Sequence, residues 1–219
     1  MSMKKRVWIV GALLALGGCR DATLTGASGD SGAAADSGAA ADSGAAMDSG
    51  MAEHTCDARI PTSGFGIMPG QSIENLTFQL CDGSDYSFYN EDFCDSVVTV
   101  ISIGAGWCGP CVIESQRLER EINDVYAGRG VRVIQVISQA DGGPTSLPDL
   151  AYCRNWVARF GLSNVVVIDP SRAANRFLPG NVLPSAVVVD RNGQIRFREN
   201  GGTDPIASIR AAVDAILAE

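Results

Sequence analysis

At 219 residues, 46% of them hydrophobic, the chain is long enough to fill one good-sized core. A formal net charge of -8 leaves nothing to neutralise phosphates and argues against nucleic acid as a partner. The single histidine, His54, lies in a polar stretch, which excludes histidine-based metal centres and Ser-His-Asp triads from the folded part.

The N-terminus reads as an address followed by a tether. Lys4, Lys5 and Arg6 precede a short apolar run over residues 7–16, the layout of a secretory signal and too short for a spanning helix. The run ends in Leu16-Gly17-Gly18-Cys19, which resembles the lipobox of bacterial lipoproteins. That resemblance implies cleavage before Cys19 and lipidation of its side chain; the alternative is an ordinary cleaved signal with a stray cysteine. Lipidation would hold the protein in a bacterial cell envelope, at the periplasmic face or in the outer membrane. Arg20 stands where an aspartate would mark inner-membrane retention in relatives, and so leans towards the outer membrane.

After Cys19 the chain is rich in Ala, Gly, Ser and Asp, with Asp-Ser-Gly at Asp30, Asp36, Asp42 and Asp48. The six-residue period carries no large apolar side chain, so stacking it would bury nothing to offset chain entropy. About 35 such residues form a flexible tether with a reach of roughly 30–35 Å. The expected organisation is a signal peptide over 1–18, anchor and tether over 19–55, and one folded domain over 56–219.

Within that domain, residues 76–80 and 86–89 flank Asp82-Gly83-Ser84-Asp85 and predict a hairpin. The β-branched run 97–103 predicts a buried central strand, ended by Gly104-Ala105-Gly106. A helix is expected over 108–126, with Cys111, Leu118, Ile122 and Val125 inward and Gly128 as its stop. Strands follow over 131–138 and 165–168. Between them Pro148 suits the first turn of a helix that turns Cys153, Trp156, Val157 and Phe160 to the core. Arg191-Asn192-Gly193 predicts a second hairpin, joining 185–190 to 194–198. Asp204 and Pro205 open a last helix with Ile206, Ile209, Val213 and Ile216 inward. Strands alternating with helices imply a layered α/β domain.

The chemistry centres on Cys108 and Cys111. A Cys-x-x-Cys pair between a strand and a helix is the layout of a redox dithiol, with both sulfurs on the first helical turn. Cys108 at the helix N-terminus meets unpaired N–H groups and the positive end of the dipole, which favour its thiolate. It is therefore the attacking sulfur, and Cys111, one turn further in, the resolving one. Pro110 gives up an N–H that the first turn does not use and stiffens the loop. No second paired motif supplies the other two ligands of a tetrahedral zinc, and no cofactor is called for. A purely structural bridge is the remaining alternative.

Trp107-Cys108-Gly109-Pro110-Cys111 is the thioredoxin active-site pentapeptide. From about Pro69 to the C-terminus the chain resembles the TlpA/ResA branch of thioredoxin-like proteins. The resemblance implies a thioredoxin-like fold: a central mixed β-sheet flanked by helices, with an N-terminal β-hairpin extension. It implies a thiol–disulfide oxidoreductase acting on disulfide-containing or dithiol exported proteins, in the first place as a reductase with electrons from a membrane-bound thiol carrier; the direction of electron flow stays open, and an outer-membrane location would separate the protein from that carrier and favour another partner. Leu183-Pro184-Ser185 is similar to the family's cis-proline loop, whose backbone pairs with substrate beside the dithiol. Glu114, three residues past Cys111, matches a glutamate that handles protons in this branch; an exposed helix glutamate is the plainer alternative. The chain departs from thioredoxin at Ser102, where a buried aspartate is usual, in the Gly104-Ala105-Gly106 approach, and at Gln116, where many relatives carry a kinking proline.

Four cysteines remain: Cys56, Cys81, Cys94 and Cys153. In an oxidising compartment they suggest two structural disulfides among three pairings. Cys81–Cys94 across the hairpin region and Cys56–Cys153 are favoured, with a buried free thiol the alternative for Cys153. Competing functions are a redox-dependent binding module that never turns over, a thioredoxin-like peroxidase and a copper chaperone. The loop before Cys108 lacks the Pro/Thr of peroxidase centres, and a chaperone's histidine ligand is missing from the domain.

Overall fold

A computed structural model describes residues 59–202 and 204–219. The segments read as signal peptide, anchor and tether, together with Cys19 and Cys56, lie outside them. No helix of the described residues is long and apolar enough to cross a membrane.

Among the described residues, seven strands form one mixed sheet in the order β2-β1-β5-β4-β3-β6-β7. Inside it lies β3 (Val98–Ala105), with β4 (Val131–Gln139), the middle strand, parallel on one side and β6 (Ser185–Asp190) antiparallel on the other. Both faces of these strands are covered, so they read as continuous β-branched runs rather than alternations. Beyond β4 come β5 (Val165–Ile168), parallel, and then the antiparallel hairpin β1 (Thr77–Leu80) and β2 (Asp85–Ser87). β7 (Ile195–Asn200) closes the opposite edge against β6.

Helices α2 (Gly109–Leu118), α4 (Leu150–Phe160) and α5 (Ile206–Leu217) lie against one face. Val98, Val100, Val133 and Val188 pack there with Leu118, Ile122, Ile209 and Val213, and Ile137, Val166 and Ile168 with Trp156. The other face buries Ile101, Ile103, Ile134 and Val187 under Phe78, Phe88, Phe177 and Phe93, the last from the short helix α1 (Glu91–Asp95). The periodicity of α5 is met in full: Ile206, Ile209, Val213 and Ile216 are its buried residues.

The long helix departs from expectation. After Leu118 it widens into a π-helical stretch, Glu119–Asn123, and resumes as α3 (Asp124–Tyr126) before a 3-10 turn. The wider turn advances the buried face by one residue, so Tyr126 is buried while Val125 is 56% exposed. The widening is held by the buried Glu119 carboxylate, which accepts from Asn123 Nδ2 at 3.1 Å, Asn164 Nδ2 at 2.7 Å, Asn164 N at 3.2 Å and Ser163 Oγ. The stop is Gly130 in the left-handed region (φ 77°), not Gly128. Similarly, α4 starts at Leu150 because the Asp149 side chain caps it through Tyr152 N, leaving Pro148 outside the helix.

Candidate active site

Three adjoining features bring the site together: the end of β3, the start of α2, and the loop before β6. Cys108 and Cys111 form a disulfide with S–S 2.05 Å and Cα–Cα 5.2 Å. Cys108 is the N-cap of α2, and its Sγ accepts from Cys111 N at 3.3 Å. A first-turn N–H is thus already aimed at the sulfur that must carry negative charge. Both residues are buried, at 6% and 4% exposure, in a small cluster with Ala105, against which Leu183 packs. The Leu183–Pro184 peptide is cis. Trp107 is 43% exposed beside the pair, its indole N–H donating to Gln139 Oε1 at 2.8 Å. Gly109 and Pro110 are exposed at the first turn, where proline occupies an early helical position.

The Gly104-Ala105-Gly106 approach has a steric cause. A Cβ on Gly104 would sit 3.2 Å from Cys111 Cβ, and one on Gly106 1.8 Å from the Tyr152 hydroxyl, which is bonded to Asp141 at 2.7 Å. Glycine lets α2 and this tyrosine approach β3 closely enough to seat the dithiol.

Beneath the dithiol lies a carboxylate. Glu114 is 3% exposed, which disposes of the exposed-helix alternative. Its Oε1 accepts from Ser102 Oγ at 2.6 Å, while its Oε2 is buried without a partner. Burial pushes its pKa up to about 7, against the Ser102 hydrogen bond and with help from the charge of Glu199. The departure at Ser102 and the glutamate at Glu114 are therefore one arrangement. The acid absent from position 102 is delivered from the helix instead, and Ser102 holds it.

The structural disulfides differ from expectation. Cys81 is bonded to Cys153, not Cys94, with Cα–Cα 5.2 Å across 72 residues. The reason is strand order: β1 pairs with β5 through Gln79 and Ile168, which carries Cys81 to the buried face of α4. Cys153 is therefore neither a free thiol nor available to Cys56. Cys94, on α1, is disulfide-bonded as well, to neither of these. The residue that sequence reasoning missed is Glu199; a glutamate in an edge strand carries no signal until the strand's register is known.

Fold and site define a thioredoxin-like thiol–disulfide oxidoreductase. The chain belongs to the Redoxin family, whose profile matches residues 68–216. Among solved structures it is similar to a putative thiol:disulfide interchange protein DsbE from Chlorobium tepidum, at 19% identity and TM-score 0.56, covering 69% of this chain and 99% of that one. It is also similar to a putative protein disulfide isomerase from Bacteroides thetaiotaomicron, at 19% identity and TM-score 0.57, covering 71% and 94%. A thioredoxin family interchange protein from Chlorobium tepidum TLS matches at 17% identity and TM-score 0.53, covering 68% and 97%. No curated protein matches the sequence.

Proposed function

We propose that this protein reduces disulfides in exported proteins from a lipid anchor at Cys19 in a bacterial cell envelope, in the manner of the TlpA/ResA branch. Cys108 Sγ attacks a partner disulfide and one partner sulfur leaves as a thiol. Cys111 then gives its proton to Glu114 and attacks Cys108 Sγ. The Cys108–partner bond breaks, the second partner sulfur takes up a proton, and the Cys108–Cys111 disulfide remains. A membrane-bound thiol carrier returns two electrons and two protons to reopen it. The pairing of partner backbone with the Leu183–Pro184 loop aligns the three sulfurs.

The observation that carries this reading is the stacking of Cys108, Cys111 and Glu114. The attacking sulfur caps α2, the resolving one sits beneath Gly104, and Glu114 presents an unsatisfied buried oxygen on the same helix. The test is trapping. With Cys111→Ser, the chain should retain covalent, dithiothreitol-sensitive adducts at Cys108 from an envelope extract, while the wild type releases them and reduces insulin. Full-length protein should partition with membranes, and Cys19→Ala should release it. A Cys111→Ser chain that captures nothing, together with a wild type that exchanges with no disulfide, would defeat the proposal.

A further inference from the structure

A cleft of about 290 Å³ opens beside the dithiol. Trp107 and Leu183 line it, and both belong to the dithiol's own surroundings: Trp107 directly precedes Cys108, and Leu183 packs against the Cys108–Cys111 cluster. Much of the remaining wall comes from the segment between β5 and β6, which contributes Leu178, Arg172, Asn175 and Asn181. The cleft is therefore continuous with the place where a partner's disulfide must lie.

That segment is fixed in place. It runs through two 3-10 turns, Ala173–Phe177 and Pro179–Asn181. The buried Asp169 carboxylate accepts from Ala173 N and Ala174 N, both at 2.8 Å, and Phe177 and Leu178 are buried beneath it. Among the described residues, the non-glycine positions with positive φ are Arg172 (60°) and Asn181 (54°), and both line the cleft. A bulky side chain in the left-handed region persists only where its surroundings over-determine it, and such residues gather at ligand clamps. Arg172 is the charged residue of the lining. Its guanidinium makes one hydrogen bond among the described residues, to Thr145 O at 3.3 Å, and no ion pair, whereas the nearby Arg176 is committed to Glu74. N–H groups of its fork are left free for a planar carboxylate. The side-chain amides of Asn175 and Asn181 make no hydrogen bond among the described residues and are free to meet peptide groups.

We infer that this cleft reads the partner, and that Arg172 selects polypeptides whose attacked cysteine lies close to an aspartate or glutamate. The lining sets that chemistry. Trp107, Leu178 and Leu183 take apolar atoms next to the disulfide, the two amides take the partner's backbone, and one cation takes one carboxylate. At 3.3 Å per extended residue, a cleft of this size puts the acid within about two to four residues of the cysteine. The chain as a whole carries a net charge of -8 and repels acidic partners at long range. The feature recognised is therefore a single acid at a set distance, not an acidic run.

This rests on the thiol–disulfide reading, and the experiment separates the two. Prereduced full-length protein is mixed with oxidised two-cysteine peptides that differ only in carrying Glu, Gln or Lys at a position about two to four residues from one cysteine. Each rate of peptide reduction is divided by the rate with dithiothreitol, which removes the peptide's own reactivity. At low ionic strength, and at one position of the series, Glu should exceed Gln by about 3-fold and Lys should fall below Gln by a similar factor. Salt at roughly 0.5 M should flatten that spread. Arg172→Glu should invert the order, so that the Lys peptide becomes the fastest. Normalised rates within about 1.5-fold of one another at every position, or an order that a folded Arg172→Glu chain leaves unchanged, overturn the inference. The wild-type series and its salt dependence decide the matter should the variant fail to fold. A protein that reduces none of the peptides, while dithiothreitol reduces them all, overturns the oxidoreductase reading, and this inference with it.

Discussion

Glu114 ties the site's chemistry to the protein's stability. Its carboxyl is held up near pH 7 by burial, against an ordinary value of 4.5. The folded state therefore binds a proton that the unfolded chain releases between those values. The stabilisation is complete below about pH 4.5 and is lost as pH rises through about 7; two to three pH units correspond to roughly 3 kcal/mol. Glu114→Gln should remove that slope: denaturant melts from pH 4.5 to 8 should show the wild type weakening relative to the variant. At Gly104 the constraint is contact. A methyl group there meets Cys111 Cβ at 3.2 Å, so Gly104→Ala should cost about 1–3 kcal/mol, read from urea midpoints of the oxidised protein. A variant as stable as the wild type would show that α2 has slack to retreat.

At the scale of elements, the Cys81–Cys153 bridge fastens the N-terminal hairpin to α4. It closes a long loop and lies against a core cluster with Ile137 and Trp156. Replacing both cysteines by alanine should lower stability by about 2–4 kcal/mol. Insulin reduction should be unchanged at temperatures where the variant is folded, because the dithiol touches neither residue. A loss of turnover in a fully folded variant would mean that the bridge has a redox part to play. The π turn in the active-site helix makes a related point about ends. Upstream of it Cys111, Glu114 and Leu118 keep the periodicity that faces β3; downstream the face is re-indexed, and Tyr126 takes the place expected of Val125.

For the whole molecule, what was legible in the sequence was whatever neighbouring residues decide. The central strands stand out because both faces are buried, and α5 because its four inward residues keep one period throughout. The pentapeptide and Pro184 could be placed because motif and strand boundary coincide. What was not legible depends on which strand lies beside which. Cys81 meets Cys153 only because β1 joins the sheet next to β5. Glu119 deforms its helix only because Ser163 and Asn164, some 40 residues on, arrive beneath it. The charge of Glu199 bears on the buried Glu114 only through two successive registers. Ser102 was visible as a departure and Glu114 as a match to relatives, but not as two ends of one hydrogen bond.

The placement of the two described tryptophans makes the protein its own optical gauge. Trp156 sits in a cluster with the buried Cys81–Cys153 bridge, and its N–H is fixed on Ser115 Oγ. Trp107 is half in solvent, pinned by Gln139, and directly precedes the sulfur that opens and closes. An excited indole passes an electron readily to a neighbouring disulfide and far less readily to thiols. Emission should therefore brighten as Cys108–Cys111 opens, against a constant background from Trp156, and a Cys108→Ser/Cys111→Ser chain should not respond. Electron flow to each candidate partner then becomes visible as brightening or dimming, without a label.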